Sequence, residues 1–281
     1  MSPPPFLSVH GLSVVYRNGM RRVAALQDVD LDLSPGRRLA LVGESGSGKS
    51  TLAMAIAGLL PENAAIAGSV SFPSLGAAPR PGRDLGVVFQ DPAGSLNPVL
   101  SIGDQIAEIV VVHRGASWRD ARAVAAVLLD RVRIPHARAR LHSFPHEFSG
   151  GQRQRIAMAA AIAVDPRLLI ADEPTSALDT VVQRELVMLL DELVREKGLT
   201  LLFVTHDIAL ASELADEVAV LLRGRVVERG PIASTFAAPV HPYTRALLAT
   251  RLYLDTPLSA RLAEIDPLTF EIRRPSEMSD G

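Results

Sequence analysis

Apolar residues fall at strand spacing in some stretches of the chain and at helical spacing in others. Residues 6–16 and 23–33 read as strands on either side of Asn18-Gly19, a dipeptide that favours a two-residue hairpin. Leu39 to Val42 is a short apolar run of the kind that makes a buried strand, and a glycine-rich loop and an apolar helix from about Lys49 to Leu59 follow it. Residues 61–84 are rich in Pro, Gly and Ala and predict loop with short edge strands, and Leu85 to Phe89 predicts another strand. Between about 91 and 165 the pattern turns helical, with Ile102–His113 and Trp118–Val132 periodic and a third helix opening near Ser149. Strand signals return at Leu168–Ala171, Leu201–Val204 and Val218–Leu222, with helices over Val181–Glu196 and Ile208–Leu214 between them. That alternation predicts a mainly parallel α/β sheet, interrupted by a helical insert. Residues 231–281 follow as an appendage with one predicted helix, Tyr243–Leu252.

Composition narrows the reading. With 281 residues, 48% hydrophobic and 21% charged, the chain can bury a substantial core, and it allows one large domain or two small ones at roughly 150 residues per domain. A formal net charge of −2 provides no general basic footprint for nucleic acid. The absence of cysteine excludes disulfides, thiolate-bound zinc and iron–sulfur ligation. The opening residues MSPPPFLSVH have neither a basic stretch nor an apolar core, so no secretory signal is expected there. The longest apolar run, Ile156 to Val164, is nine residues, whereas a spanning helix needs about 20. Any membrane role is expected to need a partner.

Two stretches carry chemistry. Gly43-Glu44-Ser45-Gly46-Ser47-Gly48-Lys49-Ser50-Thr51 matches the P-loop pattern and lies between a predicted strand and a predicted helix. Glycines let backbone N–H groups turn towards phosphates, and the helix start adds its positive dipole end. Lys49 can reach the β- and γ-phosphates, and the Ser50 hydroxyl can ligate Mg²⁺. Further on, Leu168-Leu169-Ile170-Ala171 delivers Asp172 and Glu173 at the end of an apolar strand. Downstream of a P-loop, Asp172 is a candidate to sit on Mg²⁺, and Glu173 to orient or deprotonate the attacking water of an ATP hydrolysis.

Phe148-Ser149-Gly150-Gly151-Gln152, taken with the P-loop, resembles the signature motif of the ABC (ATP-binding cassette) ATPases, with Phe148 in place of the usual Leu. The other motifs follow in family order. Tyr16 matches the adenine-stacking aromatic, Gln90 the Q-loop, Ser176-Ala177-Leu178-Asp179 the D-loop, and His206 the switch histidine. The resemblance implies a P-loop NTPase of RecA-like fold: a mainly parallel sheet core, an N-terminal antiparallel β subdomain and an inserted α-helical signature subdomain. Its parts would be 1–90 and 166–230 for core and β part, about 91–165 for the helical subdomain, and 231–281 for the appendage.

It also implies ATP and Mg²⁺ as ligands. Glu173, His206 and Gln90 would act in hydrolysis, with Gln90 also a candidate for Mg²⁺. Tyr16, residues Gly43 to Thr51, Ser149 to Gln152 and Asp179 would contact nucleotide. Two subunits, identical or paralogous, would sandwich two ATP molecules head to tail, the P-loop of one facing the signature loop of the other.

A narrower resemblance rests on Gln90-Asp91-Pro92-Ala93-Gly94-Ser95-Leu96-Asn97-Pro98, Phe144-Pro145-His146-Glu147 and His241-Pro242-Tyr243-Thr244. These look like the peptide/nickel importer subfamily, whose assemblies pair two ATPases with two permeases and a binding protein at the cytoplasmic face of the inner membrane. Segment 91–98 is expected to be a firm, exposed loop suited to a groove that receives a permease helix. Many members carry cysteines in an extended C-terminal region, and this chain has none. An ATPase for export or lipid extraction carries the same motifs. Soluble relatives acting on DNA or ribosomes usually have long coiled coils or tandem ATPase domains, and neither occurs here.

Overall fold

The computed structural model describes residues 4–19, 21–176, 178–254, 264–265 and 272–273. The chain opens with an antiparallel hairpin of β1 (Leu7–Asn18) and β2 (Arg21–Leu33), passes through β3 (Arg38–Val42) into α1 (Lys49–Ala57), and returns as β4 (Ala64–Ser71). β4 pairs with the free edge of β1, making a three-stranded antiparallel sheet in the order β2-β1-β4. Asn18 pairs with Arg21, so the hairpin turns one residue later than Asn18-Gly19 predicts, and the left-handed φ of +59° falls on Gly19. The stretch expected as loop and short edge strands thus holds an eight-residue strand. Its residues, AAIAGSVS, are small and weakly strand-forming, and pairing with β1 orders them.

β5 (Leu85–Val88) leads into a helical block of α2 (Pro92–Ser95), α3 (Ile102–Arg114), α4 (Trp118–Arg131) and α5 (Gly150–Ala161). Then come β6 (Leu168–Asp172), α6 (Thr180–Lys197), β7 (Thr200–Thr205), α7 (Ile208–Leu214) and β8 (Glu217–Leu222). β9 (Arg225–Pro231), α8 (Ile232–Ala237) and α9 (Pro242–Leu254) follow. The second sheet runs β5-β6-β7-β3-β8-β9, parallel except for the antiparallel edge strand β9. β6 and β7 are buried at every position, as continuous apolar strands covered on both faces must be. β9 escapes the sequence pattern because Arg225, Glu228 and Arg229 break up its valines, a composition suited to an exposed edge.

Caps mark the helix starts that matter. Ser101 and Ser117 accept from the third backbone N–H of α3 and α4, and Asp179 does the same for α6. Within segment 91–98 the expectation of an exposed loop is corrected in part. Residues 92–95 form a helical turn, and Leu96 is only 4% exposed, packed in one core with Val88, Ile102 and Phe148. α8 and α9 fold back on the main sheet, where Ile232 and Tyr243 share a core with Ala40, Val42, Val218 and Val220. α9 begins one residue before the predicted helix, at Pro242, whose missing N–H suits a first turn. Most of the appendage beyond Leu254 lies outside the described residues.

Candidate functional site

The parallel register brings three strand ends together. Val42 lies beside Thr205 and Asp172 beside Val204, so the residues just past β3, β6 and β7 meet at one edge of the sheet. Gly43 to Gly48 span the gap between β3 and α1. Glycine is obligatory at two of these positions. A Cβ on Gly43 (φ +155°) would stand 2.3 Å from the Leu221 carbonyl oxygen, and one on Gly48 (φ +107°) 2.6 Å from that of Ala25. The loop is therefore wedged between β2 and β8. The Ser47 hydroxyl is buried in the loop without a hydrogen-bond partner, an orphaned donor inside a glycine cradle at a helix N-terminus. That arrangement fits a phosphate chain.

Lys49 is 4% exposed, and its ammonium donates to the carbonyls of Gly43 and Glu44, both at 2.9 Å. Burial pulls its pKa below the ordinary lysine value, against the raising influence of Glu173, Asp172 and Glu44. Ser50 Oγ donates to Asp172 Oδ1 at 3.0 Å. Burial pushes the Asp172 carboxyl up, opposed by the Ser50 hydrogen bond and reinforced by the neighbouring Glu173 charge. A hydroxyl and a carboxylate this close are hard oxygen donors of the kind Mg²⁺ takes alongside substrate phosphates. Tyr16, half-buried on β1, places its hydroxyl 3.4 Å from Thr51 Oγ1, so the aromatic stands over the start of α1.

Glu173 is the centre of the constellation. Its N–H donates to the Val204 carbonyl at 2.9 Å, and its backbone then turns to φ +43°, a left-handed value that costs a glutamate of order 1–3 kcal/mol. The turn directs the carboxylate inward. Oε1 lies 3.6 Å from Lys49 Nζ, and Oε2 3.4 Å from His206 Nδ1 and 3.5 Å from Gln90 Nε2. The side chain of Glu173 is 14% exposed and that of His206 61%, so the imidazole covers the carboxylate from the solvent side. His206 occupies the junction between β7 and α7, with Asp207 capping α7 through bonds from the Ala209 and Leu210 N–H groups.

A second group forms around α5. Ser149 caps this helix, accepting from the Gln152 N–H while the Gln152 side chain accepts from the Ser149 N–H. Ser149, Gly150, Gly151 and Gln152 line a cleft of about 500 Å³ with Arg155 and Asp179. A Cβ on Gly151 would stand 2.6 Å from Val182 Cγ1 of α6, while one on Gly150 would make ordinary contact with Leu178 at 3.7 Å. Phe148 is a buried anchor under the Arg140 guanidinium, which explains why an apolar residue is needed there. The site residues read from the sequence are thus gathered in two places, one at the phosphate loop and one at the start of α5.

Sequence reasoning missed Gln154. It is 1% exposed and donates to the Phe89 carbonyl at 3.1 Å, tying the helix that starts at the signature to the residue before Gln90. Its neighbours Gln152, Arg153 and Arg155 are polar too, so no local pattern singled it out. Tyr243 is also tied to the site. The Glu44 N–H donates to its hydroxyl at 2.9 Å, across 199 residues of sequence that no local pattern spans.

Comparison with known proteins agrees with this geometry. The sequence pattern described as ABC transporter matches residues 26–176. A relative from Brucella melitensis biotype 1, provisionally named a peptide import ATP-binding protein, is 45% identical over 263 residues, covering 88% of this chain and 78% of its own. A Brucella abortus relative with the same provisional naming is 44% identical over the same shares. Among solved structures, a dimeric ATP-binding cassette in a post-hydrolysis state, bound to ADP and Pi, superposes with a TM-score of 0.70 at 29% identity, covering 80% of this chain and 98% of that one. The cbiO1 protein of Clostridium perfringens, part of an ABC transporter complex, gives 0.67 at 29% identity, covering 84% and 92%.

Proposed function

Since the chain belongs to the ABC transporter family and is an ATP-binding, ATP-hydrolysing cassette, we propose that it energises a peptide importer from the cytoplasmic face of a cell membrane. The observation that carries the catalytic part is the convergence of Lys49, Glu173, His206 and Gln90 beside the glycine cradle. ATP would enter with its phosphates against the N–H groups of the loop and the adenine against Tyr16. Lys49 would exchange its carbonyl partners for phosphate oxygens. Ser50 and Asp172 would hold Mg²⁺, with Gln90 as a further oxygen donor; the bound ion neutralises charge on the phosphate oxygens. Glu173 would take the proton of the attacking water as general base, and His206 would hold the carboxylate and contact the γ-phosphate.

The cleft at Ser149–Gln152 and Asp179 would serve a second cassette's γ-phosphate, with the start of α5 turned towards it. Its separation from the phosphate loop within the chain supports a head-to-tail pair. We further propose the division into an ATPase part over 1–230, with its helical subdomain at about 91–165, and an appendage over 231–281. Two permease subunits and an external binding protein would complete the assembly. No helix among the described residues is long and apolar enough to cross a membrane, so permeases would hold the cassette there. An apolar cleft of about 300 Å³ lined by Phe89, Leu96, Ile109 and His113 supports seating a permease helix beside segment 91–98. The names of the relatives support peptide as cargo.

The test is uptake by membrane vesicles carrying the co-purified permeases, with ATP supplied on the cassette side. Labelled oligopeptide should accumulate with the wild-type chain and not with Glu173→Gln. Uptake of nickel without peptide would overturn the cargo, and failure of any membrane protein to co-purify with the chain would overturn the transport role.

A further inference from the structure

The phosphate loop is held from an unexpected direction. Tyr243, in the first turn of α9, is 1% exposed and packs against Val42 and Val220 under the loop. Its hydroxyl accepts the Glu44 N–H at 2.9 Å. Residue 44 is therefore gripped at both ends, by Tyr243 at its N–H and by Lys49 at its carbonyl. The two grips differ in fate, because an ammonium drawn to a phosphate gives up carbonyl partners and the phenol does not.

The entry of α9 is itself fastened. Glu228 of β9 accepts the N–H groups of Val240 and His241 at 2.7 and 3.0 Å, and the His241 ring accepts the Tyr243 N–H at 3.1 Å. His241-Pro242-Tyr243 thus reads as a device that delivers one hydroxyl to one loop.

We propose that Tyr243 is a positioning residue for ATP binding, holding the Gly43–Glu44 peptide in its cradle geometry when Lys49 turns to the phosphates; this rests on residues 43–51 being the phosphate-binding loop. The Glu44 side chain is exposed, so a Glu44 N–H that lost the phenol could be hydrated if the loop shifted outward. That shift is incompatible with the cradle, so the loss falls on the nucleotide-bound state and appears as affinity. Burial pushes the Tyr243 hydroxyl up to about 12, so it stays protonated at any working pH and the bond does not titrate.

Tyr243→Phe removes the oxygen and keeps the packing. A net hydrogen bond of about 1 kcal/mol corresponds to roughly a fivefold rise in the Kd for ATP, read with trinitrophenyl-ATP displacement on the full chain. KM should rise in step, while kcat at saturating ATP stays within about twofold and Tm within about 2 °C, a split that mere structural damage would not produce. A Kd within twofold of wild type would overturn the proposal. Lys49→Ala separates the two readings: if it too leaves affinity intact, the phosphate-loop assignment has failed, and if it alone loses affinity, only the role of Tyr243 has. Amide exchange on the wild-type chain needs no variant. The Glu44 amide should exchange at least about tenfold more slowly than in an unstructured peptide, and equal rates would overturn the grip.

Discussion

A glutamate held at φ +43° between an ammonium, an imidazole and an amide is a side chain whose direction is imposed on it. Such strain persists where the surroundings over-determine it, and here the β6–β7 ladder does so. Glu173→Gln keeps the shape and removes the charge, so ATP should bind at least as well because one repelling neighbour of the phosphates is gone. The proton-accepting step is lost, and kcat should fall about 10²–10⁴-fold, or roughly 3–5 kcal/mol of barrier. Lys49→Ala should weaken binding and hydrolysis together, since its charge acts in the ground state as well. Parallel titrations and turnover measurements with Mg²⁺ distinguish the two patterns. At this scale the sequence was highly legible, because phosphate chemistry demands glycines, a lysine and acids at set spacings from a strand. Gln154 and Tyr243 were not, because their roles depend on contacts with Phe89 and Glu44 far away in the chain.

Among the elements, α5 presents its capped N-terminus in a cleft, and this is where a second cassette's phosphate is expected. Gly150→Asp is the clean probe, since its Cβ meets only ordinary contact, whereas any side chain at Gly151 collides with Val182. The added carboxylate should lower hydrolysis at least about tenfold while ATP affinity at the same chain's phosphate loop holds, checked by the same displacement assay. α9 allows a pH test. Burial raises the Glu228 carboxyl, but the nearby Thr244 hydroxyl, the bonds from the Val240 and His241 N–H groups and the nearby His241 ring outweigh it and hold the pKa below the ordinary value. A depressed acid contributes stability above its unfolded pKa, and that contribution is lost as pH falls through the folded value. Wild type should therefore melt above Glu228→Gln near pH 6.5, with the gap closing as pH drops below about 4.3, the unfolded value. A gap constant from pH 6.5 to 3.5 would exclude an ionised clamp. The strands and helices of the core were readable from periodicity, whereas β4 and β9 were not, since one is built of small residues and the other of charges, and each is ordered by a neighbour.

For the molecule as a whole, the proposed head-to-tail pair sets the phosphate loop of one chain against the α5 cleft of another. Glu173→Gln with ATP and Mg²⁺ should elute at about twice the chain mass in size exclusion, or as a heteromer with a paralogue, because closure is permitted and its resolution is blocked. Monomer at saturating ATP would count against the head-to-tail pair. The order of motifs made this pairing legible in the sequence through resemblance, not through any contact a single chain contains. The topology has one more consequence, and it concerns synthesis. β3, which feeds the phosphate loop, lies between β7 and β8, and the loop's Glu44 is gripped by Tyr243, 199 residues later. At 5–20 residues per second, about 10–40 s separate the translation of the loop from that of its brace. Throughout that interval the nascent chain carries a complete phosphate motif without its Tyr243 brace. An arrest of translation before residue 243 therefore leaves a chain that bears the phosphate motif without the hydroxyl that braces it.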